Sequence, residues 1–138
     1  MRLLDIQGRL IYKNVQCYLI DWNEKSRSKL QFVIKQFFKP FWQHYVCYEE
    51  FPVFGSRMKI DILNASKRIA VEVQGEQHTQ FSKYFHHHRM DFLLSMQRDA
   101  RKIEWLEKNN FKFLELVEDD LEKLSPKYII DKFGVSII

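Results

Sequence analysis

Between residues 57 and 74 the chain alternates apolar and polar side chains twice, with the polar turn Asn64-Ala65-Ser66-Lys67 between the two runs. No other feature constrains the fold as much, because a period of two commits both runs to strands whose successive side chains point to opposite faces. In the first run Met58, Ile60 and Ile62 share one face, and Arg57, Lys59 and Asp61 the other. In the second, Ile69, Val71 and Val73 face the core, while Arg68, Ala70, Glu72 and Gln74 lie opposite. Paired as a hairpin, the two runs bring Asp61 and Glu72 onto a common face, where directly opposed Cβ atoms are about 5 Å apart.

The surroundings extend this hairpin into an α/β pattern. A third strand-like segment at 45–53 precedes it, and the interval Pro52 to Gly55 makes the turn. Between Ser26 and Phe38 the apolar residues Leu30, Val33, Ile34, Phe37 and Phe38 recur at helical spacing. Pro40, lacking an amide N–H, is expected to end or kink that helix. After Gly75 a polar, aromatic and histidine-rich loop leads to about Arg89. A helix then runs to about Lys108, with Phe92, Met96, Ile103 and Leu106 as core candidates, and Asn109-Asn110 stops it. Phe111 to Val117 reads as a buried strand, which the strand-helix-strand crossover makes parallel to the strand ending at Gln74. The expectation is one α/β domain with a mixed central sheet flanked by helices. An N-terminal arm or hairpin occupies 1–22, the core 23–118, and a helical tail 119–138, whose second helix starts at Ser125-Pro126.

Length and composition suit such a domain: with 138 residues and 46% hydrophobic content the chain can bury a substantial core. No run reaches the roughly 18 apolar residues that span a bilayer, and Asp5 interrupts the start too early for a secretory signal. The expectation is a soluble, cytoplasmic protein with no membrane partner. Cys17 and Cys47 lie far apart without a CxxC partner, as expected of ordinary half-buried thiols rather than a zinc site or disulfide. His86, His87 and His88 are adjacent and so share no helical face, which argues against zinc there too. Twenty-two basic against 18 acidic residues make the chain only mildly basic, so placement carries more weight than total charge. Lys25, Arg27, Lys29, Lys35 and Lys39 crowd one stretch, and Arg89, Arg98, Arg101 and Lys102 another.

Two carboxylates as close as Asp61 and Glu72 repel unless a cation sits between them. All-oxygen ligation suits Mg²⁺ or Mn²⁺ better than zinc, and the Val73 carbonyl offers a further hard oxygen. Such an ion polarises a phosphodiester oxygen and lowers the pKa of a bound water, so phosphodiester hydrolysis is the natural reaction. On an arbitrary hairpin two such acids are ordinarily solvated charge. Here the strand runs directly into Gly75 and a polar loop, where functional groups collect.

Asp61, ten intervening residues, then Glu72-Val73-Gln74, in a helix-strand-strand-strand-helix-strand order, resembles the core of the PD-(D/E)XK nucleases. Gly75-Glu76-Gln77-His78, Arg98-Asp99-x-x-Lys102 and Asn109-Asn110-Phe111 look like the small phage-encoded members, which include homing endonucleases and relatives of very-short-patch repair nucleases. The resemblance covers roughly residues 22–118. It implies a restriction-endonuclease-like core and a metal-dependent DNA endonuclease of homing type, in which Asp61 and Glu72 bind Mg²⁺ or Mn²⁺. Gln74 stands where the family usually has a catalytic lysine, a departure, since an amide can orient water or ligate metal but cannot carry charge. Lys59 or Lys102 is then the candidate for the missing positive charge, with His78 and Lys102 as auxiliaries. The family's further acidic residue on the first helix has no obvious counterpart, since Lys29 stands near its expected place; Glu24, Glu49 and Glu50 are the substitutes at hand. Arg9, Lys13, Lys25, Arg27, Lys29, Lys59 and Arg98 are the expected contacts to double-stranded DNA, and cutting both strands calls for a homodimer. The alternatives are a repair or junction-resolving nuclease, an inactive DNA-binding module that lost activity with its lysine, and an interaction protein using its aromatic C-terminal half, including Phe133 to Ile138.

Overall fold

The computed structural model describes residues 1–75 and 89–138, with side chains described at 1–75, 97 and 99–138. A two-stranded antiparallel hairpin, β1 (Arg2–Leu4) and β2 (Leu10–Tyr12), opens the chain, and Arg2 pairs with Tyr12, Leu3 with Ile11 and Leu4 with Leu10. Helix α1 (Lys29–Trp42) follows, then β3 (Cys47–Pro52), β4 (Lys59–Asn64) and β5 (Ile69–Gln74). Helix α2 (Arg89–Lys108) crosses to β6 (Lys112–Val117), and a 3-10 turn at Glu118–Lys123 leads into α3 (Pro126–Phe133). The second sheet has the order β3-β4-β5-β6, antiparallel except for the parallel β5-β6 pair. It is a mixed sheet in a small α/β domain. Among the described residues no helix is long and apolar enough to cross a membrane.

Both faces of this sheet are covered, so two cores form. On one face, Ile34, Phe38 and Trp42 of α1 pack with Ile62, Val71, Leu114 and Leu116, and the C-terminal Ile129, Val135 and Ile137 close over them. On the other, Trp105 and Leu106 of α2 pack with Phe51, Ile60, Leu63 and Ala70, joined by Leu3 and Val15 from the N-terminal segment. Of the two outcomes expected at Pro40, an end or a kink, the α1 helix does not end there but carries Pro40 inside its last turn. Continuing to Trp42 is favoured because that indole is fully buried and donates to the Ile137 carbonyl at 2.9 Å. Asn109 ends α2 from a buried position: its side chain accepts from the Leu4 amide at 2.8 Å and donates to the Leu4 carbonyl at 3.1 Å. Asn110 then takes the left-handed conformation, with φ 63°, that lets the chain turn into β6.

The N-terminal hairpin is docked rather than free. Its turn is held by Asp5, whose carboxylate accepts from the amides of Gln7 and Arg9, and the Arg9 amide is the main cause of a carboxyl held below its ordinary range. Trp105 donates to the Leu4 carbonyl at 2.7 Å. Gly55, at φ 88°, comes so close to Asp5 and Ile6 that a Cβ would lie 3.2 Å from both side chains, so glycine fits this contact where other residues would strain it.

Sequence alone makes Lys35 part of a basic surface. The structure buries it completely, because α1 turns this side toward the segment at 21–26. Its ammonium donates to the carbonyls of Asp21 and Glu24, at 3.0 and 2.6 Å, and to Glu49 at 3.0 Å. All three donor protons are used, as a buried ammonium requires. Replacing Lys35 with Ala leaves Glu49 without its buried cation, and unfolding in urea is expected to show a loss of about 3–5 kcal/mol.

Candidate active site

Asp61 sits where the sheet comes apart. The β3-β4 ladder pairs Glu49 with Ile62 and Phe51 with Ile60 but skips Glu50 opposite Asp61, and Glu50 holds a left-handed φ of 52°. On the other side, β4 and β5 pair from Asn64 with Ile69 as far as Ile62 with Val71, and no further. The next step of that register sets Asp61 beside Glu72. Instead of a backbone carbonyl, the Asp61 carboxylate accepts the Val73 amide, at 2.7 Å. Strict alternation fails at this point. Ile60 and Met58 pack with the α2-side core while Ile62 joins the α1-side core, so the shared face expected for all three does not exist. The local break in β4 rotates the strand at Asp61, which no period-two pattern encodes.

Beyond this break β5 keeps its alternation, so Glu72 lies on the Ala70 side and meets α2. Both carboxylates are buried, Asp61 at 2% and Glu72 at 4% exposure, although their polarity suggested an open face. Lys102 of α2 donates to Glu72 at 3.3 Å. Arg27, in the segment preceding α1, reaches Asp61 at 3.5 Å and Glu50 at 3.7 Å. Burial first, and then the neighbouring Asp61 charge, push the Glu72 carboxyl up to about 9, with Lys102 opposing. The Glu50 carboxyl is raised in the same way, burial acting before Asp61, with Arg27 opposing.

An open pocket of about 480 Å³ lies over these groups, lined by Glu72, Val73 and Gln74 of β5, Arg27, the β3-β4 turn from Ser56 to Lys59, and Asp99, Arg101 and Lys102 of α2. Five cationic side chains on one pocket make it suited to an anion with several charges. Of the residues singled out from sequence, Arg27, Lys59, Glu72, Val73, Gln74 and Lys102 gather here, with Asp61 behind them. Arg57 and Arg101 complete the pocket; the alternation of Arg57 with Lys59 and the adjacency of Arg101 to Lys102 were the available signals. Arg9 and Lys13 do not line it: Arg9 pairs with Asp5 at 3.3 Å and Lys13 lies over the Phe54 ring. Lys25 and Lys29 are exposed outside the lining. His78, Phe81, Tyr84, Phe85 and His86 to His88 fall outside the described residues, as does the side chain of Arg98.

The donor set fits a hard divalent ion in part. Asp61 and Glu72 supply two buried carboxyl groups on adjacent strands, and Mg²⁺ binds through one or two carboxylates while keeping several waters. Among the described residues no group of three or more His, Cys, Asp and Glu side chains is positioned to hold a metal. The cysteines add nothing. Neither is half-buried as expected: Cys17 is exposed, and Cys47 is buried, its thiol pushed up to about 12 by that burial. The chain matches no family model, no curated protein and no solved structure.

The raised Glu72 carboxyl fixes a pH response. The folded state holds a proton that the unfolded state releases above its ordinary value of 4.5, so stability falls as pH rises from there toward about 9. In thermal melts without divalent ions, Glu72→Gln is expected to flatten this decline and to raise the midpoint at pH 8 by a few degrees. A decline unchanged by the substitution assigns it to another group.

Proposed function

We propose that this chain is a divalent-metal-dependent endodeoxyribonuclease that hydrolyses phosphodiester bonds in double-stranded DNA. The observation that carries the reading is a pair of buried acids in contact, Asp61 and Glu72, with Glu72 lining a pocket rimmed by five cationic side chains. A carboxylate pair alone would suit a metal store. The cationic rim adds affinity for a polyanion, and the two together match phosphodiester chemistry.

In this reading Asp61 and Glu72 would hold Mg²⁺ or Mn²⁺, which would supply Lewis-acid charge to the phosphodiester and lower the pKa of water at the site toward neutrality. The Val73 amide fixes the Asp61 carboxylate through one oxygen, and the other faces Arg27 at 3.5 Å. Lys102 supplies the positive charge that Gln74 lacks, since its ammonium touches Glu72 and lines the pocket, whereas Lys59 stands on the exposed rim. Gln74 orients water through its amide oxygen. Arg27, Arg57, Lys59 and Arg101 bind backbone phosphates, contacts that position DNA without reading its sequence. Action as a homodimer on a specific site, in the manner of a homing endonuclease, follows from the resemblance and from the need for two centres to cut two strands. The absence of a lysine at position 74 supports a second reading, a DNA-binding module without activity.

Cleavage of plasmid and phage DNA in Mg²⁺ or Mn²⁺ separates these. Asp61→Ala and Glu72→Ala are each expected to reduce cleavage at least about a thousandfold while duplex binding persists, and Lys102→Ala about a hundredfold. Tight, salt-sensitive duplex binding that survives chelator, with no nicking under any metal, selects the inactive module. No salt-sensitive binding at all removes both readings.

A further inference from the structure

The segment that carries Arg27 is built with unusual care for a surface side chain. Ser26 donates to Glu49 at 2.6 Å on one side of it. On the other, Ser28 caps α1 by accepting the Gln31 amide at 3.1 Å. Behind it, the buried Lys35 ties down the carbonyls of Asp21 and Glu24 while pairing with Glu49. Gln31, also buried, donates to Glu49 at 2.9 Å and to Glu50 at 3.4 Å. The backbone at Arg27 is thus pinned from both flanks, and its side chain is aimed at the acidic centre.

The guanidinium itself is held loosely. Its side chain is 67% exposed, and it meets Asp61 and Glu50 at 3.5 and 3.7 Å, well beyond the roughly 2.7–2.9 Å of a tight charge-assisted bond. Asp61 has one oxygen committed to the Val73 amide, so Arg27 faces the oxygen that remains. Arg27 also lines the cationic pocket. A fixed base with a weakly held, doubly placed head is an arrangement for exchange between partners.

We propose that Arg27 is an exchangeable counter-ion, which neutralises Asp61 and Glu50 when no metal is bound and turns to a backbone phosphate of the DNA when a divalent cation takes its place. This rests on the metal-site reading above and adds a coupling to it. A divalent ion competes with Arg27 for Asp61, and its arrival frees a guanidinium for phosphate, so metal and DNA each strengthen the binding of the other. Linkage makes that coupling reciprocal.

Calorimetric titration with Mn²⁺ alone, on DNA-free protein, tests the first half. Arg27→Gln is expected to bind Mn²⁺ about fivefold or more tightly than wild type, because the competitor is gone. Titration of a duplex in chelator and in Ca²⁺ tests the second half: the gain in DNA affinity on adding the cation is expected to be several-fold smaller in Arg27→Gln than in wild type. Unchanged or weaker Mn²⁺ binding by Arg27→Gln, or an undiminished gain in DNA affinity, overturns the exchange. An Asp61→Ala control keeps the two levels apart. If Asp61→Ala abolishes Mn²⁺ binding while Arg27→Gln leaves it unaltered, the metal site stands and the exchange falls. If wild type and Arg27→Gln both fail to bind Mn²⁺, the metal site falls and the exchange with it. Circular dichroism melts of both variants confirm that folded proteins are compared.

Discussion

The bond from the Val73 amide to the Asp61 carboxylate is where the sheet gives up its own ladder. Antiparallel pairing of β4 and β5 stops at Ile62 and Val71, and a buried amide left open there is costly. Asp61 satisfies that amide with a side chain instead of a carbonyl. The substitution lets the two strands part without orphaning a donor, and the parting makes room for two carboxylates and the pocket above them. Remaining features of the site, including the opposing cations, answer the charge that this concentrates.

Two layers of electrostatic support surround the acidic pair, and they differ in kind. Lys35 and Glu49 form a buried, fully bonded scaffold that fixes the approach to α1. Arg27 and Lys102 are the partners of the acidic pair itself, at longer distances and with greater exposure. Rigid groups thus hold the frame, and adaptable ones face the pocket. This division is what a site requires if an incoming ligand is to replace some contacts without disturbing the fold. A buried carboxyl raised to about 9 and a left-handed Glu50 at the same place are strains that the surrounding sheet and helices must sustain.

Much of this was legible in the amino-acid sequence. Period-two alternation located β4 and β5, helical spacing located α1, and the crossover made β6 parallel to β5. The polar faces of the two hairpin strands by themselves nominate Asp61, Glu72 and Gln74. What alternation missed was its own failure at Asp61, since a break in strand twist depends on neighbours rather than on residue order. Lys35 shows the same limit. In sequence it is one cation among several on a helix; its burial follows only once the segment at 21–26 folds over it and offers carbonyls and Glu49.

Sequence by itself determined the element order, the mixed sheet and the nomination of two acids on adjacent strands, because periodicity and turn residues act over short distances. Tertiary structure alone decided that the acids are buried, that Glu72 meets Lys102 across thirty residues of chain and that Arg27 faces Asp61 across thirty-four. It also decided that Arg57 and Arg101 share one pocket while Arg9 and Lys13 stand apart from it. The physical reason is that charge and burial are properties of what surrounds a group in space, and the chain does not state its neighbours until it has folded.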